Sequence, residues 1–258
     1  MGGLKLQFVH LYPDLMNFYG DRGNMIALVM RAKWRGFSVD VLDVSVGDKK
    51  KITQADCIVM GGGQNVEERR LVHQDILRKS PEIHESAEKG IPILAICGSF
   101  QLLGEYYQTA QGEKMEGIGL LDLWTIAGKK RMVGNIVLSA GLGKVEKTIV
   151  GFENHIGKTF LGAKTEPFGR VLKGYGNNGR DGKEGAIYKN VLGTYLHGPL
   201  LPKNPWLTDY ILEKAVNNRY PGMKLKMLNS KFEKMAHQIM LKRLGIKPGR
   251  ESRNERYY

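Results

Sequence analysis

The first hundred residues alternate short apolar runs with segments of helical periodicity, and this alternation constrains the possible folds more than any other feature of the sequence. The apolar runs predict strands at Leu4–Leu11, Phe37–Val44, Asp56–Met60 and Ile93–Ile96. Helical spacing of apolar residues predicts helices between them at Asn24–Arg35 and Val66–Lys89, and after the last strand at Phe100–Tyr107. This order is typical of an α/β domain with a mainly parallel sheet, in which functional sites lie at the carboxyl ends of the strands.

From about Gly117 the pattern changes to short β candidates that are separated by glycines. They lie at Leu120–Ile126, Met132–Leu138, Thr148–Phe152, Val171–Lys173 and Val191–Leu196. Two helical stretches follow at Trp206–Arg219 and Asn229–Leu244. No second core is evident, so we expect one α/β domain at 1–205 with added antiparallel strands, and a helical extension with a basic tail at 206–258 packed on it.

The charge balance is strongly basic, with 39 Lys and Arg against 26 Asp and Glu. Nine of the basic and three of the acidic residues lie between Lys226 and Tyr258, so much of the surplus is a basic C-terminus. No aromatic-interleaved RNA motif or zinc module occurs, and nucleic-acid binding is therefore not predicted. The sequence also has no apolar stretch of about 20 residues and no signal peptide, which predicts a cytoplasmic protein that is not integral to the membrane.

Cys97 is the candidate nucleophile. It stands between a buried strand and a helix and is followed by Gly98, so its side chain would be exposed on a sharp turn at a helix N-terminus, which favours the thiolate. The alternative is a buried core cysteine. Cys57, inside an apolar run, is predicted to be core, and two cysteines with six scattered histidines give no metal-ligand spacing.

A thiol nucleophile needs a base, and His197 is the best placed histidine. It lies at the carboxyl end of a late predicted strand. If that strand joins the same sheet as the strand before Cys97, both side chains reach the same rim. His10 could also reach that rim from the first strand.

Ordered motifs along the chain resemble those of the class I, triad-type glutamine amidotransferases. The run Cys97–Gly104 resembles their nucleophile motif, and Gly193–Pro199 resembles the histidine motif of their cobyric acid synthase-like branch. Further runs are similar to one subfamily, the GatD subunits of lipid II isoglutaminyl synthases: Leu11–Pro13, Tyr19–Asn24, Gly61–Gln64, Arg131–Ile136, Gly151–Gly157 and Gly174–Asn178. The resemblance runs from about residue 4 to about residue 215 and implies a flavodoxin-like, mostly parallel sheet flanked by helices.

Glutamine hydrolysis requires chemistry that these residues can supply. A thiolate attacks the side-chain amide, a base later protonates the departing ammonia, and N–H donors stabilise the oxyanion. Cys97 and His197 suit the first two roles. The backbone at Gly98 and in the loop with Gly62 and Gly63 suits the third, although a triple glycine can also be only a tight turn.

The resemblance implies further roles. Gln101 would help to hold the substrate glutamine, and Arg131 would pair with its α-carboxylate, although Arg131 alone would be interpreted as a solvated charge. Ordinary members carry an acid two positions after the histidine, where this chain has Pro199. The site is then either a Cys–His dyad or a triad completed by another acid. Asp21 is the family's candidate for that acid, although it could instead only cap the following helix. Glu153 is a weaker candidate for the acid.

The sequence contains no P-loop with which to activate a carboxylate by ATP. The resemblance therefore implies a heterodimer with a MurT-like Mur ligase subunit, which would hold ATP and Mg and phosphorylate the D-glutamate α-carboxylate of lipid II in peptidoglycan synthesis. Ammonia from this chain would complete D-isoglutamine. The alternatives are a glutaminase for another synthetase, such as one that amidates cobyrinic acid, and a non-catalytic basic scaffold. Contact of the basic tail with the inner face of the membrane is left open.

Overall fold

A computed structural model describes residues 3–63, 66–142 and 146–247, with the side chains of 66–70 left out. Its strands are β1 (Lys5–Leu11), β2 (Ser38–Val44), β3 (Cys57–Met60), β4 (Ile93–Ile96), β5 (Tyr106–Gln108), β6 (Lys114–Glu116), β7 (Leu123–Ala140), β8 (Lys147–Leu161), β9 (Gly169–Lys173), β10 (Lys183–Glu184), β11 (Ala186–Tyr188), β12 (Val191–Thr194) and β13 (Leu196–His197). Its α-helices are α1 (Arg22–Lys33), α2 (Val66–Glu88), α3 (Gly98–Leu102), α4 (Pro205–Arg219) and α5 (Lys231–Arg243). Two short 3-10 helices lie at Phe18–Gly20 and Leu201–Lys203.

The central sheet has six strands in the order β11-β12-β4-β3-β1-β2. All neighbours pair in parallel except β11, which pairs antiparallel with β12 at the edge. Every residue of β3 and β4 is buried, as expected for strands covered on both faces. The predicted α/β class with a mainly parallel sheet is therefore confirmed.

The second sheet differs most from the sequence prediction. Two short strands were expected at Leu120–Ile126 and Met132–Leu138, but they form one 18-residue strand, β7, that pairs antiparallel with the 15-residue β8. The pairing register shifts between Ala127 and Met132. Three consecutive basic residues lie in that interval and are exposed on an otherwise continuous ribbon, which is why the apolar pattern breaks there.

Helix α3 is shorter than predicted. It ends at Leu102, and Tyr106 and Tyr107 belong to β5 instead. A Cβ atom at Gly104 would lie 2.8 Å from the carbonyl oxygen of Leu123, so the chain passes too closely against β7 for any side chain. A single sequence does not reveal this close approach.

The C-terminal helices lie on the same body. Leu207, Ile211 and Leu212 of α4 are buried in the core cluster that includes the central sheet. Helix α5 packs through Leu241 against Val137 and Val150 of the β7–β8 ribbon. Among the described helices, none combines the length and the apolar character needed to cross a membrane. The last residues of the predicted helical extension and basic tail, 248–258, lie outside the described residues.

Candidate active site

Cys97 occupies a strained turn at the carboxyl end of β4. Its φ of 53° and ψ of −104° are unusual for a residue with a side chain. The N–H of Cys97 donates to the carbonyl of Thr194 in the adjacent β12 at 2.8 Å, so the neighbouring strand holds the turn in place. Such a strained strand-to-helix turn is the conformation that presents a nucleophile above a sheet. The side chain of Cys97 is nevertheless only 6% exposed, so the prediction that it would be exposed on the turn is wrong.

Cys57 has a different environment. It lies on β3 with no exposed surface. Burial, with a smaller contribution from Asp56, raises the pKa of the Cys57 thiol far above its usual range. A thiol in that setting is inert, and the prediction that Cys57 is a core residue is confirmed.

His197 reaches the same rim as Cys97. Strand β12 lies beside β4, and one residue later the chain continues into β13, which ends at His197. A Cβ atom at Gly62 would lie 2.7 Å from Cε1 of His197 and 3.2 Å from Cβ of Cys97. The imidazole and the thiol therefore border the same small space, and glycine at position 62 keeps that space open.

Asp21 lies against His197. Its two carboxylate oxygens are 3.0 and 3.3 Å from Nδ1 of His197, and both side chains are buried. The Gly62 N–H donates to Oδ2 of Asp21 at 2.8 Å, which fixes the carboxylate. Asp21 precedes α1, but its side chain makes no capping hydrogen bond. The interpretation of Asp21 as a helix cap is therefore wrong.

The surroundings of His197 favour its charged form. Burial alone would lower the pKa, but interactions with Asp21 and Cys97 raise the pKa of His197 to about 10. The imidazole is thus held as a proton carrier between a carboxylate and a thiol. Tyr19 adds an edge-on aromatic contact to the ring, with centroids 5.0 Å apart.

The other acid considered for His197 is used elsewhere. Glu153 is fully buried, and its carboxylate accepts the N–H groups of Tyr175 and Gly176 at 2.7 and 3.0 Å. Glu153 thus stabilises the turn after β9. These contacts do not support a role for Glu153 in orienting His197.

The glycine loop meets the start of α3. The hydroxyl of Ser99 donates to the carbonyl of Gly61 at 2.6 Å, and a Cβ atom at Gly98 would lie 3.5 Å from the nitrogen of Gly63. Because the Gly62 N–H already donates to Asp21, the predicted oxyanion hole has to be revised. The N–H groups of Gly63 and Gly98 remain as its candidate donors.

Arg131 is connected to the site through two side chains that the sequence analysis did not single out. Exposed on β7, it donates through Nη1 to Oδ1 of Asn154 at 3.0 Å. Nδ2 of Asn154 donates in turn to the hydroxyl of Tyr19 at 2.5 Å, and Tyr19 contacts His197. Asn154 and Tyr19 both lie in the motif runs noted above, and this was the only sign in the sequence that they belong to the site.

Gln101 points into the protein. It is 5% exposed, and its amide nitrogen donates to the Tyr195 hydroxyl at 2.9 Å. Tyr195 is fully buried and stacks on His155 with centroids 3.6 Å apart. Gln101 thus braces Tyr195, and its contact with glutamine stays a prediction.

Known proteins resemble this chain over most of its length. A family model for a CobB/CobQ-like glutamine amidotransferase domain matches residues 7–205. The chain is 40% identical over 93% of its length to the GatD subunit of the glutamine-hydrolysing lipid II isoglutaminyl synthase of Staphylococcus aureus, covering 96% of that protein. The corresponding subunit of Streptococcus pneumoniae is 38% identical over 84% of this chain, with 82% of that protein covered. The solved structure of PurLQS from Thermotoga maritima shares the fold, with a TM-score of 0.56 and 17% identity over 84% of this chain and 99% of that one.

Proposed function

The chain belongs to the CobB/CobQ-like glutamine amidotransferase family, and we propose that it is the glutamine-hydrolysing subunit of an enzyme that amidates lipid II. The observation that carries the glutaminase chemistry is the convergence of Cys97, His197 and Asp21 at one rim of the central sheet. Similarity to GatD subunits over almost the whole of both chains supports the acceptor.

The proposed reaction begins from the ion pair that the raised pKa of His197 favours, with the proton of the Cys97 thiol already on Nε2 of His197. The thiolate attacks the side-chain carbonyl carbon of glutamine, and the N–H groups of Gly63 and Gly98 stabilise the oxyanion. When the intermediate collapses, the carbon–nitrogen bond breaks and His197 returns its proton to the leaving nitrogen, which departs as ammonia. His197 then activates a water that hydrolyses the thioester to glutamate and restores the thiol.

Asp21 acts through His197 in this mechanism. By accepting the Nδ1 proton it selects the tautomer that leaves Nε2 facing the thiol, and its charge stabilises the imidazolium. The raised pKa of His197 has the same origin and matches a residue that must hold the proton of Cys97 until the amide nitrogen departs.

Arg131 suits recognition of the α-carboxylate of glutamine. Asn154 holds one side of the guanidinium, and the exposed remainder can form a charge-assisted pair with a carboxylate. The Asn154–Tyr19 bridge sets the position of that guanidinium relative to the imidazole, and thereby selects substrates in which carboxylate and amide are separated by the length of glutamine.

We expect Arg131→Ala to raise the KM for glutamine about tenfold to a hundredfold, since a hydrogen bond to a charged group contributes about 1.5 to 3 kcal/mol. Arg131→Lys should recover only part of this, because an ammonium lacks the planar fork. Steady-state ammonia release measures both. Lys130→Ala, at the adjacent exposed position, is the matched control. An unchanged KM in Arg131→Ala would show that Arg131 does not bind glutamine and is only a solvated surface charge.

The acceptor side of the reaction is assigned to a partner. No P-loop occurs in this sequence, so we propose that a Mur ligase-type subunit holds ATP and Mg, activates the D-glutamate carboxylate and receives the ammonia. The names of the relatives, which are subunits of a lipid II isoglutaminyl synthase, support this assignment.

Isotope transfer tests the assignment. With glutamine labelled at the amide nitrogen, a Mur ligase-type partner and ATP, we expect the label in the amide of lipid II, detected by mass spectrometry, and none when this chain is omitted. Cobyrinic acid offered in place of lipid II is the control for the other branch of the family. Label in cobyrinic acid alone would overturn the lipid II assignment while leaving the glutaminase intact.

A further inference from the structure

Helix α5 presents an apolar stripe to solvent. Phe232, Met235 and Ile239 are 76%, 48% and 46% exposed, and their spacing of three and four residues aligns them along one face. Met227, just before the helix, is 64% exposed. The opposite side packs on the protein through Leu241, so this stripe is not the face that holds the helix in place.

The exposed charges of α5 itself are all positive. Lys231, Lys234, Lys242 and Arg243 are the exposed charged residues of α5. The one acid of the helix, Glu233, accepts a hydrogen bond from the Arg31 guanidinium at 3.0 Å and is thereby neutralised against the body of the protein. The outer face of α5, defined by Lys231, Lys242 and Arg243 and by Phe232, Met235 and Ile239, therefore carries no carboxylate.

Helix α5 is held before any ligand arrives. Arg31 also donates to Ser230 at 3.0 Å, and the His237 ring bonds to the Lys203 carbonyl at 2.9 Å. A helix anchored in this way does not lose chain entropy by folding when it binds. Its outer face can act as a preformed docking surface.

We propose that the outer face of α5 docks onto an anionic lipid surface. Apolar side chains flanked by lysines fit the boundary between headgroups and acyl chains, where the ammonium groups meet phosphates and the apolar groups leave water. A protein partner fits less well, because lysine is depleted in protein interfaces. A nucleic acid would use the cations but would leave Phe232, Met235 and Ile239 in water.

Flotation with vesicles tests this proposal. The full chain should bind phosphatidylglycerol vesicles and not phosphatidylcholine vesicles, with affinity falling as salt screens the charges. Replacing Phe232, Met235 and Ile239 together by Ser should weaken binding by about tenfold or more, since these apolar side chains would no longer leave water on binding. Lys231→Gln and Lys242→Gln together should weaken it to a similar extent.

Matched controls change exposed apolar residues and exposed lysines elsewhere. Val41, Leu71 and Leu172 are 41%, 52% and 41% exposed, and their combined replacement by Ser should leave vesicle binding unchanged, as should Lys33→Gln, Lys49→Gln and Lys51→Gln together. Glutaminase activity without vesicles should be unchanged in all four variants, which verifies folding.

Phe232→Trp gives a readout that does not depend on a destabilising change. Its emission should shift to the blue on phosphatidylglycerol vesicles, and that of Leu172→Trp should not. Absence of binding to these vesicles, equal binding to both lipids, or loss of binding in the lysine variant alone would overturn the proposal. So would a purified partner subunit that loses affinity for the α5 variants while vesicle binding is unchanged.

Discussion

Cys97→Ser is expected to lower ammonia release from glutamine by about a thousandfold or more, the loss typical of removing a covalent nucleophile. A hydroxyl at this turn has no accessible anionic form near neutral pH, so Nε2 of His197 would face a far weaker nucleophile. The fold should survive, because Cys97 is held by its backbone bond to Thr194 and serine keeps that bond. Coupled detection of glutamate, with unfolding monitored in parallel, measures both effects.

Cys57→Ser is the matched control for that variant. Its side chain is fully buried on β3 and lies outside the site, so turnover in the folded fraction should stay close to that of the unchanged protein. Stability should fall instead, because a hydroxyl replaces a buried thiol among apolar neighbours. Substantial turnover in Cys97→Ser, with its loss in Cys57→Ser, would reverse the assignment of the nucleophile.

Asp21→Asn is expected to reduce turnover by about a hundredfold to ten-thousandfold, as in other sites where the acid behind a catalytic histidine is neutralised. A carboxamide does not stabilise the imidazolium and can present an N–H to Nδ1, which favours the wrong tautomer. The KM for glutamine should change little, since Asp21 lies behind the imidazole and is not assigned to the substrate. Asp14→Asn, at an exposed position, is the matched control.

The same variant should change how stability depends on pH. His197 has a folded pKa of about 10 against an ordinary value of 6.5, so protonation favours the folded state. That stabilisation is complete below pH 6.5 and is lost as the pH rises toward 10. Without the Asp21 charge the pKa of His197 should fall. Thermal unfolding measured over this pH interval should then show a smaller loss of stability in Asp21→Asn than in the unchanged protein. Full turnover in Asp21→Asn would leave a Cys97–His197 dyad as the better description.

The parts of the fold that sequence reasoning predicted depend on local patterns. Ile93–Ile96 is apolar at every position and ends at Cys97-Gly98, so a buried strand leading into a turn could be inferred from a few neighbouring residues. Parallel strands then bring their carboxyl ends to one rim, and this rule places the end of β12 beside Cys97. It does not show that the chain leaves the central sheet after Thr194, so that His197 lies on β13, which pairs with β8.

The parts that it missed depend on contacts between distant residues. Asp21 is separated from His197 by 176 residues, and its local sequence fits a helix cap equally well. Asn154 and Tyr19 are 135 residues apart, and nothing within either motif shows that they share a hydrogen bond. The Gly62 N–H likewise fits an oxyanion hole until the position of Asp21 is known.

The most direct test of the account is to trap the nucleophile with a diazo-ketone analogue of glutamine. Such a compound alkylates the thiolate that attacks the glutamine side chain, and peptide mapping by mass spectrometry identifies the modified residue. We expect a single adduct on Cys97, formed more slowly in Arg131→Ala and absent in Cys97→Ser. An adduct on Cys57, or none on a folded and active protein, would contradict the assignment of Cys97 as the nucleophile of a glutaminase.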